Sequence, residues 1–401
     1  LALGAALLSS TAFAGEIVLN SDHSDPAPKK AMEELIADFQ KANPDITVKW
    51  NNFDHEGYKS AIRNFLTADA PDVAAWYAGN RMEPFVKAGL FEDVSDVWEA
   101  NGLNDQLKSA SASMTIDGKK WGVPYTYYQW GIYYRKDIFA EQGIEPPKNW
   151  AEFLAACEKL KSASVTPITI GTKALWPTGG WFDYLDLRVN GYEFHMELTS
   201  GKVPYTDPRV KAVFEKWGEL VNAGYFNENH AAIDWQDAIP QMVQGQAAMY
   251  LMGNFAVDPM KKGGLTEAQI GFMQFPEITA GIPMSEEAPT DTFHIPSGAK
   301  NKEDAKKFLA FVASPAAQSK MNATLGQLPV NNQSEKPADP FLQAGFDMLS
   351  NAHALAQFYD RDANAEMAKA GMEGFQEFMV KPDDMDRILE RLEKVRARVH
   401  K

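Results

Sequence analysis

Glu16-Ile17-Val18-Leu19-Asn20 is a short apolar run that reads as a strand, and a polar loop over residues 21–28 follows it. Met32, Leu35, Ile36 and Phe39 then recur at i, i+3, i+4 and i+7, which sets four apolar side chains on one face of a helix over 28–42. Asn43-Pro44 ends that helix, because proline has no amide hydrogen to continue the ladder and restrains the residue before it. Residues 46–50 predict a second strand, Tyr58, Ile62, Phe65 and Leu66 a second helix, and residues 73–76 a third strand. Strand, helix, strand, helix, strand is the order of a parallel, doubly wound sheet with helices on both faces. Such sheets bind ligands at the loops that leave the carboxyl ends of their strands. The loops after these three strands are therefore the first place to look for function.

A change of texture comes at residues 115–130, where the turn Asp117-Gly118-Lys119-Lys120 leads into a densely aromatic stretch over 121–134. Further helix and strand material runs to about residue 280, with helices near 150–162, 208–223 and 234–244 and a strand over 247–251. The Pro/Gly/Glu-rich stretch 276–289 reads as a linker or a loop near a hinge. Residues 302–313 predict a helix and 327–332 an irregular connection. Met385, Ile388, Leu389, Leu392 and Val395 share one face of a terminal helix.

At 401 residues, with 45% hydrophobic and 23% charged residues, the chain has enough apolar material for two α/β units. Its net charge of −15 argues against a nucleic-acid or anionic-membrane partner, both of which need a basic footprint. The apolar run over residues 1–8, then Ser9-Ser10-Thr11 and Ala12-Phe13-Ala14, has the form of a secretory signal with an A-x-A site. It predicts cleavage after Ala14 and a free periplasmic protein with no lipid anchor. Cys157 is the single cysteine and falls among Phe153, Leu154 and Leu160 at helical spacing, so it reads as a buried structural thiol. The seven histidines show no metal-ligand spacing, and there is no G-x-S-x-G elbow, Walker loop or Rossmann fingerprint. No metal or cofactor is expected.

Four segments in order resemble the maltose-binding-protein-like family of bacterial solute-binding proteins. They are Gly118-Lys119-Lys120-Trp121-Gly122-Val123-Pro124-Tyr125 with Gly131-Ile132-Tyr133-Tyr134-Arg135-Lys136-Asp137; Asn149-Trp150-Ala151-Glu152-Phe153; Gly245-Gln246-Ala247-Ala248-Met249-Tyr250 with Gly253-Asn254-Phe255; and Ile295-Pro296-Ser297-Gly298-Ala299-Lys300-Asn301. The resemblance implies a two-lobed periplasmic binding protein fold of α/β class. Each lobe would be a mostly parallel sheet flanked by helices and discontinuous in sequence. It places lobe one at residues 15–125 plus 284–335 and lobe two at 126–283 plus 336–401. It also implies a small carbohydrate ligand, an ABC importer permease as partner, and a monomer. A secreted carbohydrate-active enzyme, which needs only two carboxylates across a cleft, is the alternative. A binder of a non-sugar solute is another.

A sugar site needs flat aromatic rings for the C–H face of a pyranose and in-plane polar groups for its hydroxyls. Asp22, His23 and Ser24 follow the first strand, and Asp54 follows the second; an ordinary turn is the other reading of each. Tyr77 and Asn80 follow the third strand beside Trp76, which fits a core equally well. By the resemblance, Tyr128 stands where the maltose binder presents a cleft carboxylate, which points away from maltose itself. Gln129 next to it offers a replacement amide. Trp176 and Trp181 flank Pro177-Thr178-Gly179-Gly180 in a segment matching the family's stacking loop, and Trp181 is the chosen ligand contact. Asn254 and Phe255 match the next aromatic position, and Asp291 and Thr292 lie at a lobe crossing. Arg361 is either a structural ion pair with Asp360 or Asp362, or a ligand clamp.

Overall fold

The computed structural model describes residues 15–400; the expected export signal over 1–14 lies outside the described residues. Nine strands carry the two main sheets: β1 (Gly15–Ser21), β2 (Ile46–Asn52), β3 (Val73–Tyr77), β4 (Val123–Tyr127), β5 (Trp130–Arg135), β6 (Thr166–Ile168), β7 (Ala247–Gly253), β8 (Ile270–Met273) and β9 (Thr290–His294). The first sheet has the order β2-β1-β3-β9-β4, and the second β8-β5-β7-β6.

The helices between β1, β2 and β3 follow from their sequence patterns. Pro26–Ala42 buries Met32, Leu35, Ile36 and Phe39, and starts on prolines that its first turn tolerates. His55–Ala68 buries Tyr58, Ile62 and Leu66, and Asp54 caps it by accepting the Gly57 amide at 2.8 Å. β1 pairs in parallel with β2 and β3, as a right-handed strand–helix–strand crossover demands.

The sheets are more mixed than the order of elements implies. β9 runs antiparallel to both β3 and β4, and β5 antiparallel to both β7 and β8. These strands arrive from the other core or through short connections, and not through a crossover helix, so nothing enforces parallel pairing.

One apolar core gathers residues between 17 and 125 with others between 293 and 330, including Phe39, Trp98, Phe293 and Phe308. A second gathers residues between 128 and 275 with others between 341 and 392, including Trp181, Trp217, Phe275 and Phe375. Cys157 is fully buried in the second, on helix Trp150–Ser162, and burial pushes its thiol up. The chain passes between the cores at Tyr128-Gln129, again ahead of β9, and a third time between residues 330 and 341. Beside the second passage, Glu286–Glu287 pairs in parallel with Leu355–Ala356. No helix among the described residues is long and apolar enough to cross a membrane.

Candidate functional site

The carboxyl ends of β1, β2 and β3 open on a cavity of about 360 Å³ between the two cores. This is near the lower end of the ~300–1,000 Å³ typical of small-molecule sites. Two unlike walls face each other across it.

The wall on the first core is polar. β1 delivers Asp22, His23 and Ser24, the start of helix His55–Ala68 delivers Asp54 and His55, β3 delivers Tyr77, and β9 delivers Asp291. His55 Nδ1 lies 2.7 Å from Asp22 Oδ2, and the Tyr77 hydroxyl donates to the same carboxylate at 3.3 Å. Burial alone would push the Asp22 carboxyl up; the hydrogen bond and charge of His55, with His23 adding, overcome it and hold Asp22 at about 2. His23, hydrogen-bonded to the Tyr125 hydroxyl at 2.8 Å, is pushed down to about 4 by burial against the opposing pull of Asp22. A carboxylate beside a neutral imidazole gives this wall both acceptors and donors for hydroxyl groups.

Arg361 reaches this wall from the short helix Tyr359–Asp362, which packs with the second core. Its guanidinium meets Asp291 at 2.9 Å, donates to the Tyr128 hydroxyl and the Thr290 carbonyl at 3.1 Å each, and lies 4.2 Å from the centre of the Tyr77 ring. Burial raises the Asp291 carboxyl and Arg361 only partly offsets it. Asp360, its neighbour, is held below the usual carboxylate range because Arg81, Lys59 and Arg361 outweigh its burial. Arg361 thus pairs with Asp291, not with either acid beside it in sequence.

The opposite wall is aromatic. Trp130, Trp176, Trp235, Phe255 and Phe358 line the cavity and pack on one another, with ring centres from 4.8 to 6.3 Å apart. Trp176 follows Leu175, a non-glycine residue held at φ +68°. That conformation costs roughly 1–3 kcal/mol, and such strain gathers where a chain must present a group in one direction. Among the described residues, no His/Cys/Asp/Glu cluster has the spacing to hold a metal ion.

Asp22, His23, Ser24, Asp54, Tyr77, Tyr128, Phe255, Asp291 and Arg361 line the cavity together. The other sequence choices do not. Trp181 is 1% exposed in the second core, against Phe226 at 5.1 Å and Phe275 at 5.7 Å. The segment read as a loop is helix Pro177–Val189, and five residues along a helix turn a side chain roughly 140° away from Trp176. Gln129 is fully buried and donates to Asn254 Oδ1 at 3.2 Å and the Phe341 carbonyl at 3.0 Å; Asn254 in turn donates to the Gly326 carbonyl. These two amides tie the passages between the cores. Asn80 donates to the Asp362 carbonyl behind the cavity. Thr292 falls on the other face of β9 from Asp291, bonded to His294 at 2.6 Å, because strand side chains alternate.

Trp130 and His55 stand in the sequence clusters around Tyr128 and Asp54 but were not among the chosen contacts, Trp235 was not considered, and of the two tryptophans flanking residues 177–180 it is Trp176 that lines the cavity. Trp235 had one available signal: it opens a helix directly after the cap residue Asp234. Trp181→Ala is expected to cost ~3–5 kcal/mol of folding stability, the scale for deleting a buried aromatic. Urea unfolding measures it, and an unchanged midpoint would put the ring outside the core.

A family model described as "Bacterial extracellular solute-binding protein" matches residues 23–319. The chain belongs to this family. It is 30% identical over 321 residues to an uncharacterized ABC transporter extracellular-binding protein of Pyrococcus horikoshii, covering 78% of this chain and 70% of that protein. A multiple sugar-binding protein of Streptococcus mutans is 24% identical over 295 residues, covering 72% and 69%. Among solved structures, a bacterial solute receptor described as exclusively preferring β-D-galactopyranose matches with a TM-score of 0.89 at 28% identity, covering 97% of this chain and all of that one. The family is one of exported receptors for ABC transporters, and the fold is that of two-domain solute receptors. The secreted-enzyme alternative falls with that membership.

Proposed function

We propose that this receptor captures a small, neutral carbohydrate of one or two rings by closing its lobes, and hands it to the permease of an ABC importer. The observation that carries the reading is the opposition of the aromatic wall to the carboxylate–histidine–arginine wall across about 360 Å³. A pyranose has an apolar C–H face and an equatorial belt of hydroxyls, and these two walls match them. The galactose preference of the receptor at 28% identity supports the same class.

Asp22, His23, Ser24, Asp54, Tyr77, Tyr128, Phe255, Asp291 and Arg361 are the proposed contacts from the sequence reading, joined by Trp176 and Trp235. Lobe one is proposed as 15–125 plus 284–335 and lobe two as 126–283 plus 336–401, which agrees with the two separate apolar cores. Ligand held by one lobe shifts the equilibrium toward closure because only the closed state adds the other lobe's contacts. The protein works as a monomer in the periplasm, freed of residues 1–14.

Thermal unfolding against a panel running from D-galactose and D-xylose to disaccharides, amino acids and polyamines tests the class. A sugar at 100 times its Kd stabilises by ~2.7 kcal/mol. Mass spectrometry of solute released from freshly purified protein then names the ligand. Hits confined to amino acids or polyamines would overturn the reading.

A further inference from the structure

Behind the cavity, Glu287 sits fully buried on the passage between the lobes, and neither of its carboxyl oxygens has a hydrogen-bond donor. Its neighbour Glu286 is the opposite case. Glu286 is held by Arg188 at 2.5 Å, the Tyr184 hydroxyl at 3.0 Å and Gln274 at 2.7 Å, so no cation is left over for Glu287. What faces Glu287 is another acid: its carboxyl lies within hydrogen-bonding reach of Asp183, on helix Pro177–Val189, whose Oδ1 is also buried without a donor.

Two acceptors in contact, away from water, are repulsive unless a proton lies between them. The nearby cation is His195: burial presses its imidazole down, but Asp186, Asp183 and Asp362 outweigh that and hold it up at about 9, and it faces the aspartates and not Glu287. His195, on the adjacent helix Tyr192–Thr199, gives Nδ1 to Asp186 at 3.0 Å and keeps Nε2 3.7 Å from Asp183. Asp362 accepts the Gln357 amide at 2.9 Å and adds a further negative charge, and Tyr359 spends its hydroxyl on Tyr205 at 2.5 Å. Burial and the surrounding acids raise Glu287 well above the ordinary glutamate range.

The pair is tied to the cavity by one bond. Asp183 Oδ2 accepts the backbone amide of Tyr359 at 2.5 Å, and the next two residues are Asp360 and Arg361. We infer that Glu287 is a positioning residue that works as a neutral acid: it donates its proton to Asp183, which fixes the Tyr359 amide and so aims Arg361 and Asp360 into the ligand cavity. This rests on the proposed sugar site for its functional consequence, while the proton itself can be tested without any sugar.

The direct test is infrared difference spectroscopy of the full receptor at pH 8, comparing wild type with Glu287→Gln. The wild type should show a buried protonated-carboxyl band that the variant lacks; absence of the band in wild type, or its persistence in Glu287→Gln, overturns the inference. Thermal midpoints across pH give a second sugar-free reading. A group whose folded pKa is raised contributes stability that is full below its unfolded value near 4.5 and is lost as pH rises toward the folded value. The midpoint of Glu287→Gln minus that of wild type should therefore climb with pH above about 4.5; a flat difference counts against the proton.

D-Galactose binding by calorimetry reads the positioning role. Glu287→Gln, whose amide donates to Asp183 permanently, should keep wild-type affinity at pH 7. It should also escape the fall, up to ~tenfold per pH unit, that wild type shows once the proton is lost. Glu287→Ala should lose at least about tenfold at pH 7, and Gln binding no better than Ala would refute positioning. If D-galactose fails to bind wild type, the ligand choice fails, while the infrared band and the midpoint difference still decide Glu287.

Discussion

Arg361→Ala is expected to lower ligand affinity about a hundredfold or more and to cost ~3–5 kcal/mol of folding stability, the range for removing one partner of a buried ion pair. The guanidinium serves Asp291, Tyr128, Thr290 and the Tyr77 ring at once, so its loss strands a buried carboxylate and a carbonyl together. It also removes one of the links by which the Tyr359–Asp362 turn reaches the first lobe, leaving the bonds from Asn80 to Asp362 and from Arg81 to Asp360. Arg361→Lys should recover only part of the loss, because an ammonium cannot reproduce a planar fork stacked on a ring.

The stability deficit should carry a pH signature. Asp291 is already raised by burial with Arg361 opposing, and without the arginine it rises further. A raised acid is accommodated below its unfolded pKa near 3.8 and penalised as pH rises, so the deficit should shrink as pH falls toward 4. Urea titrations at several pH values measure this, together with calorimetry for affinity. A variant with wild-type affinity and a pH-independent stability would remove Arg361 from the site.

Trp176→Ala should weaken binding by ~2 kcal/mol or more, about thirtyfold, as for an aromatic anchor in a desolvated pocket. Its ring packs edge-on against Trp130 at 6.0 Å, Phe255 at 6.2 Å and Phe358 at 6.3 Å, so the wall loses both its flat surface and its internal packing. Trp176→Phe retains a ring and should lose much less. Titration of the variants with the ligand found in the panel decides this, and equal affinity for wild type and Trp176→Ala would exclude the ring from contact.

The first sheet was legible because its signals are local. Met32, Leu35, Ile36 and Phe39 lie within two turns of one helix, and β1 to β3 are short apolar runs between them. The loops after those strands were legible for the same reason, which is how Asp22, His23, Ser24, Asp54 and Tyr77 came to be chosen, and all five line the cavity. What failed was anything set by rotation or by distant pairing. Trp176 and Trp181 look alike in a row of letters, and only the helix that begins between them separates cavity from core. Gln129 and Asn254 are 125 residues apart, and their mutual bond turns two candidate ligand contacts into structural amides. Arg361 finds Asp291 from 70 residues away, past two acids beside it, because the turn that carries it is pinned from behind by Asp183.

The position of β9 in the first sheet also sets a timetable. It lies between β3 and β4, yet roughly 200 residues separate it from β3 along the chain. A chain that enters its compartment amino end first therefore presents β3 well before β9 arrives. Until then β3 and β4 have no partner on their facing edges, and the nascent first lobe carries an open slot ready to accept a strand from any neighbouring chain. Substitutions that slow the insertion of β9 would therefore show themselves as aggregated product and poor yield, while the molecules that do complete the sheet bind normally.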